Sequence, residues 1–126
     1  GSSEDVSIFD TSTTPIKIYN VESNSEFVQQ GNGFKIKVKT KNIGTDEIIH
    51  WAGSGSAADQ NIVEWEANDS IQGIVPLDSK GNDVFQFRTN KSKMTSTSMP
   101  FSFTLFESSD LLEPLSTPVE VTILKQ

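Results

Sequence analysis

An all-β sandwich of two antiparallel sheets is the architecture this chain predicts, and three features of the sequence carry that expectation. Apolar and polar residues alternate with a period of two in segment after segment: Phe34, Ile36 and Val38 with Lys35, Lys37 and Lys39; Phe101, Phe103 and Leu105 with Ser102 and Thr104; Val119, Val121 and Ile123 with Glu120 and Thr122. Such alternation places one set of side chains on each face of a half-buried strand. Turn residues separate these segments at the short, regular spacing of sandwich strands. No segment sustains the 3.6-residue period of a helix.

The elements follow in order. Residues 1–14 are rich in Ser, Thr, Asp and Glu and read as a flexible N-terminal tail or linker, with Val6, Ile8 and Phe9 as points of contact with the fold. The opening Gly1-Ser2 reads as an expression scar, and the rest as a module of a longer protein. The sandwich domain is expected over residues 15–126. A first short strand is expected over Ile16–Tyr19, and Glu22–Glu26 is a polar turn. Gly31-Asn32-Gly33 is a strong turn signal, because Gly and Asn tolerate positive φ. Strands are then expected over Phe34–Thr40 and Glu47–Ala52, with a turn at Asn42–Asp46 between them.

The small residues Gly53 to Asp59 predict a loop, with one helical turn allowed near Ala57–Asn61 or Ser108–Leu112. Ile62–Glu66 reads as a short strand or an irregular crossing, and Ser70–Leu77 as a strand with Pro76 near its end. Lys80-Gly81-Asn82 is a hairpin-like turn into Val84–Arg88. A polar stretch, Thr89–Ser98, leads to a strand that Pro100 opens and Phe106 ends. Glu107–Thr117 is a loop with Leu111 and Leu112 as plugs, and Val119–Leu124 closes the domain. This makes seven or eight strands. The expected core is Ile18, Phe34, Ile36, Val38, Ile49, Trp51, Ile74, Phe85, Phe87, Phe101, Phe103, Leu105, Val121 and Ile123.

Composition narrows the function. The 126 residues make one domain, long enough to bury a core without staples. There is no cysteine, hence no disulfide framework or thiolate metal site. A net charge of −7 disfavours phosphate backbones and anionic membranes as partners. No run approaches the ~20 apolar residues of a membrane span. A single histidine, His50, and the absence of a G-x-S-x-G elbow leave nucleophilic catalysis without its parts, and His50 reads as an outward strand residue. Glu64 and Glu66, two apart, would share a strand face, a weak basis for paired-carboxylate chemistry. Asp46, Glu47, Asp59, Asp69, Asp78 and Asp83 lie near turns that calcium would need to bring together, but Asp is also the ordinary turn residue. The row Lys35, Lys37, Lys39 and Lys41 reads as a solvated sheet face or protected edge, with binding of an acidic partner as the alternative.

Two tryptophans remain. Trp51, with Ile49 as its strand partner, reads as the core tryptophan of a sandwich. Trp65, flanked by Glu64 and Glu66, is the candidate for an exposed stacking platform, with Asn61, Gln60 and Glu64 as its polar neighbours.

From about Glu26 onward the order of features resembles Calx-beta-like and related immunoglobulin-like repeats of bacterial surface proteins and of phage tail and virion proteins. The matching residues are Gly31, Phe34-Ile36-Val38, and Asn42-Ile43-Gly44-Thr45 leading to Ile49-His50-Trp51. After them come Asp59, Gly73, Phe85-Gln86-Phe87, Phe101 to Leu105 and Val119 to Ile123. The resemblance implies an immunoglobulin-like sandwich. Calcium-binding members carry an acidic residue before the first glycine and an acidic cluster before the penultimate strand. Here Gln30 and Thr89–Thr95 stand in those places, so the family's metal ligands do not carry over. The expected role is a non-enzymatic structural or protein-interaction module of a larger surface or virion protein, located on a virion or cell surface and binding other subunits or domains of the assembly, with no cofactor. The alternative is a carbohydrate-binding or adhesive module that meets a host-surface glycan through Trp65, Asn61, Gln60 and Glu64.

Overall fold

The computed structural model describes residues 5–9, 19–21, 26–29, 33–39, 48–76, 82–115 and 118–125, the first three segments and residue 82 as backbone. The chain folds into an immunoglobulin-like β-sandwich. One sheet contains β1 (Asp5–Phe9), β2 (Tyr19–Val21), β4 (Gly33–Lys39), β6 (Val63–Trp65) and β8 (Asn82–Thr89) in the order β2-β1-β4-β8-β6. The other contains β3 (Glu26–Gln29), β5 (His50–Ser54), β7 (Gln72–Ile74), β9 (Ser98–Phe106) and β10 (Val119–Leu124) in the order β3-β10-β9-β5-β7. These are the first and second sheets. Pairing is antiparallel except where β1 runs along β4 and β3 along β10.

The alternating segments become the strands of the sandwich. In β4, Phe34, Ile36 and Val38 are buried while Lys35 and Lys39 are exposed. In β10, Val119, Val121 and Ile123 are buried and Glu120 is exposed. The inward rings of the two sheets interlock. Phe34 of β4 meets Phe101 of β9 at 5.9 Å, and Phe87 of β8 meets Phe103 of β9 at 5.9 Å. Each such pair adds about 0.5–1.5 kcal/mol beyond the burial of its area.

Several expectations need correction. Asp5–Phe9, within the stretch read as tail, forms a strand whose register runs from Asp5 beside Lys35 to Phe9 beside Lys39. The first strand after it is Tyr19–Val21, and Glu26 begins β3 instead of ending a turn. Residues 16–18, including Ile18, and the turns at 31–32, 42–46 and 80–81 lie outside the described residues. The helical turn α1 forms at Ser56–Asp59, where Ala57 and Ala58 are small enough to pack into the core.

Ile74 is 55% exposed, and its neighbour Val75 takes the core position. The parity is set by Gly73, which lies opposite Trp51 on the inward side of β7, so Ile74 turns outward. Leu112 is 73% exposed and plugs nothing. Pro100 lies inside β9, not at its start. Pairing with β5 ends at Ser102, so Pro100 has a neighbouring strand only on the β10 side and meets the edge condition that proline requires. No helix among the described residues is long and apolar enough to cross a membrane.

Candidate functional site

The four residues singled out for ligand binding lie on one segment that leaves α1 and becomes β6. Gln60 ends the helical turn, its N–H donating to the Ser56 carbonyl at 3.0 Å. Asn61 follows at φ 56, a left-handed conformation that asparagine tolerates better than most residues. That reversal lets Ile62 drop into the core, its N–H bonded to the Ala57 carbonyl at 2.8 Å. β6 then pairs with β8, Val63 beside Thr89, Glu64 beside Arg88 and Trp65 beside Phe87.

Three of the four residues converge on the segment that follows β8. The Asn90 N–H donates to the Ile62 carbonyl at 2.7 Å. Its side-chain Nδ2 donates to the Asn61 carbonyl at 3.2 Å and to Glu64 Oε1 at 2.5 Å. Farther along, Thr95 Oγ1 donates to Gln60 Oε1 at 3.0 Å, past the short 3-10 turn Lys91–Lys93. Beside them, Arg88 makes an ion pair with Asp69, which also sits at positive φ. Asn90 was not marked by the sequence. It lies in a featureless polar stretch, and its partners are 26 and 29 residues away.

Trp65 does not join this cluster. It follows Glu64 on a strand, so its ring points to the opposite face, into the sandwich. There it packs half-buried against the core, 5.2 Å from Phe85 and edge-on to Trp51 at 5.6 Å. Trp51 is fully buried, stacks on Phe103 at 5.7 Å and meets Phe85 and Phe87 edge-on. Its indole Nε1–H is buried without a hydrogen-bond partner among the described residues. The two tryptophans thus belong to one aromatic cluster that joins the sheets.

The other candidates fall apart in space. His50 lies half-buried on the outer face of the second sheet, in register with Ile74 on one side and Phe106 on the other. Asp110 caps the turn after β9, accepting from Ser108 Oγ at 2.5 Å and from the Leu112 N–H at 3.0 Å. The Ser108 hydroxyl first, and the Leu112 N–H second, hold its carboxyl below the ordinary aspartate range, so it carries its charge at neutral pH. Asp59 ends α1 and Asp83 lies within β8. Asp46, Glu47, Asp78, Lys41 and Gln30 lie outside the described residues. Among the described residues, no three His, Asp or Glu side chains are grouped to hold a metal ion. The lysine row is central in its sheet rather than at an edge, since β4 pairs with β1 on one side and β8 on the other.

The Asn90 bonds tie the α1–β6 segment to the end of β8. Asn90→Ala is therefore expected to destabilise the domain by roughly 1–2 kcal/mol, because it leaves a partly buried carboxylate without its donor. Glu64→Gln, which keeps an acceptor in place, is expected to lose less than half of that. Urea unfolding of both variants measures the difference, and equal losses would mean that the Asn90–Glu64 bond is not what holds the segment.

No family model matches the chain, and no curated protein matches it significantly. Among solved structures it is similar to WR4, a C. elegans MSP family member, at 9% identity and a TM-score of 0.39, over 80% of this chain and 92% of that one.

Proposed function

We propose that this domain is a non-enzymatic structural or protein-interaction module of a larger assembly. It acts as a rigid sandwich that spaces or docks its neighbours through faces, edges and end loops. The observation that supports this is how the candidate ligand groups are used. Both tryptophans contribute to the cluster between the sheets, and Gln60, Asn61 and Glu64 bond to the segment after β8. A loop-borne binding site would instead hold its aromatic and polar groups toward a shared opening. The resemblance to immunoglobulin-like repeats suggests the finer reading of a surface or virion component, such as a part of a phage tail, baseplate or capsid surface.

Tryptophan emission tests this reading. The native domain is expected to emit in the blue, to be poorly quenched by acrylamide, and to ignore a panel of soluble glycans. A red, quenchable component that shifts with one glycan would assign Trp65 to an adhesive platform and replace the proposal with the carbohydrate-binding alternative.

A further inference from the structure

The Lys and Arg residues of the described strands all lie in the first sheet, on β4 and β8, and the strands of the second sheet contain none. The loop segments flanking β5, β7 and β9 within residues 48–56, 66–76 and 98–118 also include no Lys or Arg. On the outer face of the second sheet, Ile74, His50, Phe106 and Pro114 form one row across β7, β5, β9 and the segment paired with the end of β9. Ile48, two residues before His50, is 53% exposed. Just beyond the row, the turn after β9 carries the exposed acids Glu107, Asp110 and Glu113 and the exposed Leu112. It is closed by the Glu107 N–H bonding to the Glu113 carbonyl at 2.9 Å. This is a mostly apolar row around His50, with an acidic rim.

The outer face of the first sheet has the opposite character. Val84 on β8 is 53% exposed and stands beside Lys37 of β4, with Lys35 and Lys39 one outward position to either side. The same face carries Gln86 and Arg88 of β8, the latter paired with Asp69, and Glu64 of β6, bonded to Asn90, so among the described side chains the lysines of β4 outnumber its outward strand acid. A large apolar side chain therefore sits in a lysine frame on one face, and an apolar row sits in an acidic frame on the other. Like faces brought together would oppose lysine to lysine or carboxylate to carboxylate, which costs several kcal/mol, whereas unlike faces match in both charge and apolar content.

We propose that the two faces are the halves of a single contact between copies, in which Val84 and its lysines on one copy seat against the Ile74–His50–Phe106 row and acidic rim of a second. The inference rests on the interaction-module reading and names the partner as another copy of this domain. Because the halves differ and lie on opposite sides of the sandwich, the contact is heterologous and repeats from copy to copy into a row or ring. One sheet face is a modest area beside the ~800 Å² per partner of a standard stable interface. The contact is accordingly weak between free domains and becomes effective where copies are held close together.

Sedimentation velocity of the chain over a wide concentration range tests it. Mass is expected to rise with concentration at ~0.01 M salt, and the rise to weaken about tenfold or more at ~1 M, where the Debye length shrinks from ~30 Å to ~3 Å. Ile74→Lys disables the second sheet's face, and the double variant Lys35→Glu with Val84→Glu disables the first. All three positions are exposed, so far-UV circular dichroism and tryptophan emission should match the parent. Each variant alone is expected to stay monomeric at concentrations where the parent associates. An equimolar mixture is expected to associate again, because it supplies one intact copy of each face. A parent that stays monomeric at low salt overturns the proposal, as does a variant that still associates like the parent or a mixture that stays monomeric. Capture of a lysine-rich apolar peptide by a monomeric parent would give the acidic-rimmed row to another partner and overturn it equally. A monomer that also ignores glycans removes the second copy as partner while leaving the interaction-module reading in place.

Discussion

Trp51→Ala is expected to bring the domain close to global unfolding. The ring is fully buried in β5 and is surrounded by aromatic rings from both sheets: Phe103 from its own, and Phe85, Phe87 and Trp65 from the facing one, at 5.3–5.7 Å. Removing it deletes four ring contacts and leaves a cavity that those neighbours, held on separate strands, cannot close together. Truncations of this kind cost about 3–5 kcal/mol, a large part of the ~5–15 kcal/mol that a domain possesses. Trp51→Phe is expected to lose far less, about 1–2 kcal/mol. It keeps a ring in the slot and removes an indole N–H that has no partner among the described residues, and a buried donor left unpaired is itself destabilising. Urea and thermal unfolding followed by circular dichroism measure both. A loss under about 1 kcal/mol for Trp51→Ala would show that the cluster does not hold the sheets together.

That cluster also marks what was legible in the sequence. β4, β8, β9 and β10 could be read directly because each alternates long enough for the period to state which residues face inward. Trp51 was legible through the same parity, with Ile49 two residues before it. β7 was not, because Ile74 and Val75 are adjacent and a three-residue strand carries too little period to choose between them. Its parity is fixed by register with another strand, which places Gly73 opposite Trp51 on the inward side. β1 and β3 were illegible for a related reason. β3 pairs parallel with β10, far along the chain, and β1 pairs parallel with β4 and otherwise only with the three-residue β2, so no clear local hairpin announces either strand. At the candidate site, Gln60, Asn61 and Glu64 were singled out as polar residues on one segment and do come together. What gathers them is the segment after β8, where Asn90 holds Asn61 and Glu64 and Thr95 holds Gln60; these roles depend on the register between β6 and β8 and leave no mark in their own neighbourhood. Trp65 was read with its sequence neighbours, but a strand sends neighbours to opposite faces, and the burial of its ring depends on Phe85 and Trp51.

Gly55→Ala is expected to destabilise the domain by about 3 kcal/mol or more, although it adds one methyl group and removes no contact. Gly55 joins β5 to α1 with φ 93 and ψ 172, a region open almost only to glycine, and holding another residue there costs of order 1–3 kcal/mol. Space is closed as well. A Cβ at this position would lie 2.6 Å from the Pro100 carbonyl oxygen and 3.2 Å from its carbon, both backbone atoms of β9 with no rotamer to escape into. Relief of that overlap requires β9 to shift or the chain to swing away. The second route moves the Gly55 carbonyl, which accepts from the Ala58 and Asp59 N–H groups, and with it the turn that buries Ala57 and Ala58 and presents Gln60 and Asn61 to the segment after β8. Strain and overlap are separate penalties at one atom, and overpacking alone adds about 1–3 kcal/mol. Ser54→Ala, one residue earlier and exposed, is the control and is expected to stay within about 0.5 kcal/mol of the parent. Urea unfolding compares the two variants. If Gly55→Ala loses no more than the control, then α1 is not held against β9 at this point, and the junction that presents Gln60 to Thr95 and Asn61 to Asn90 is not fixed by it.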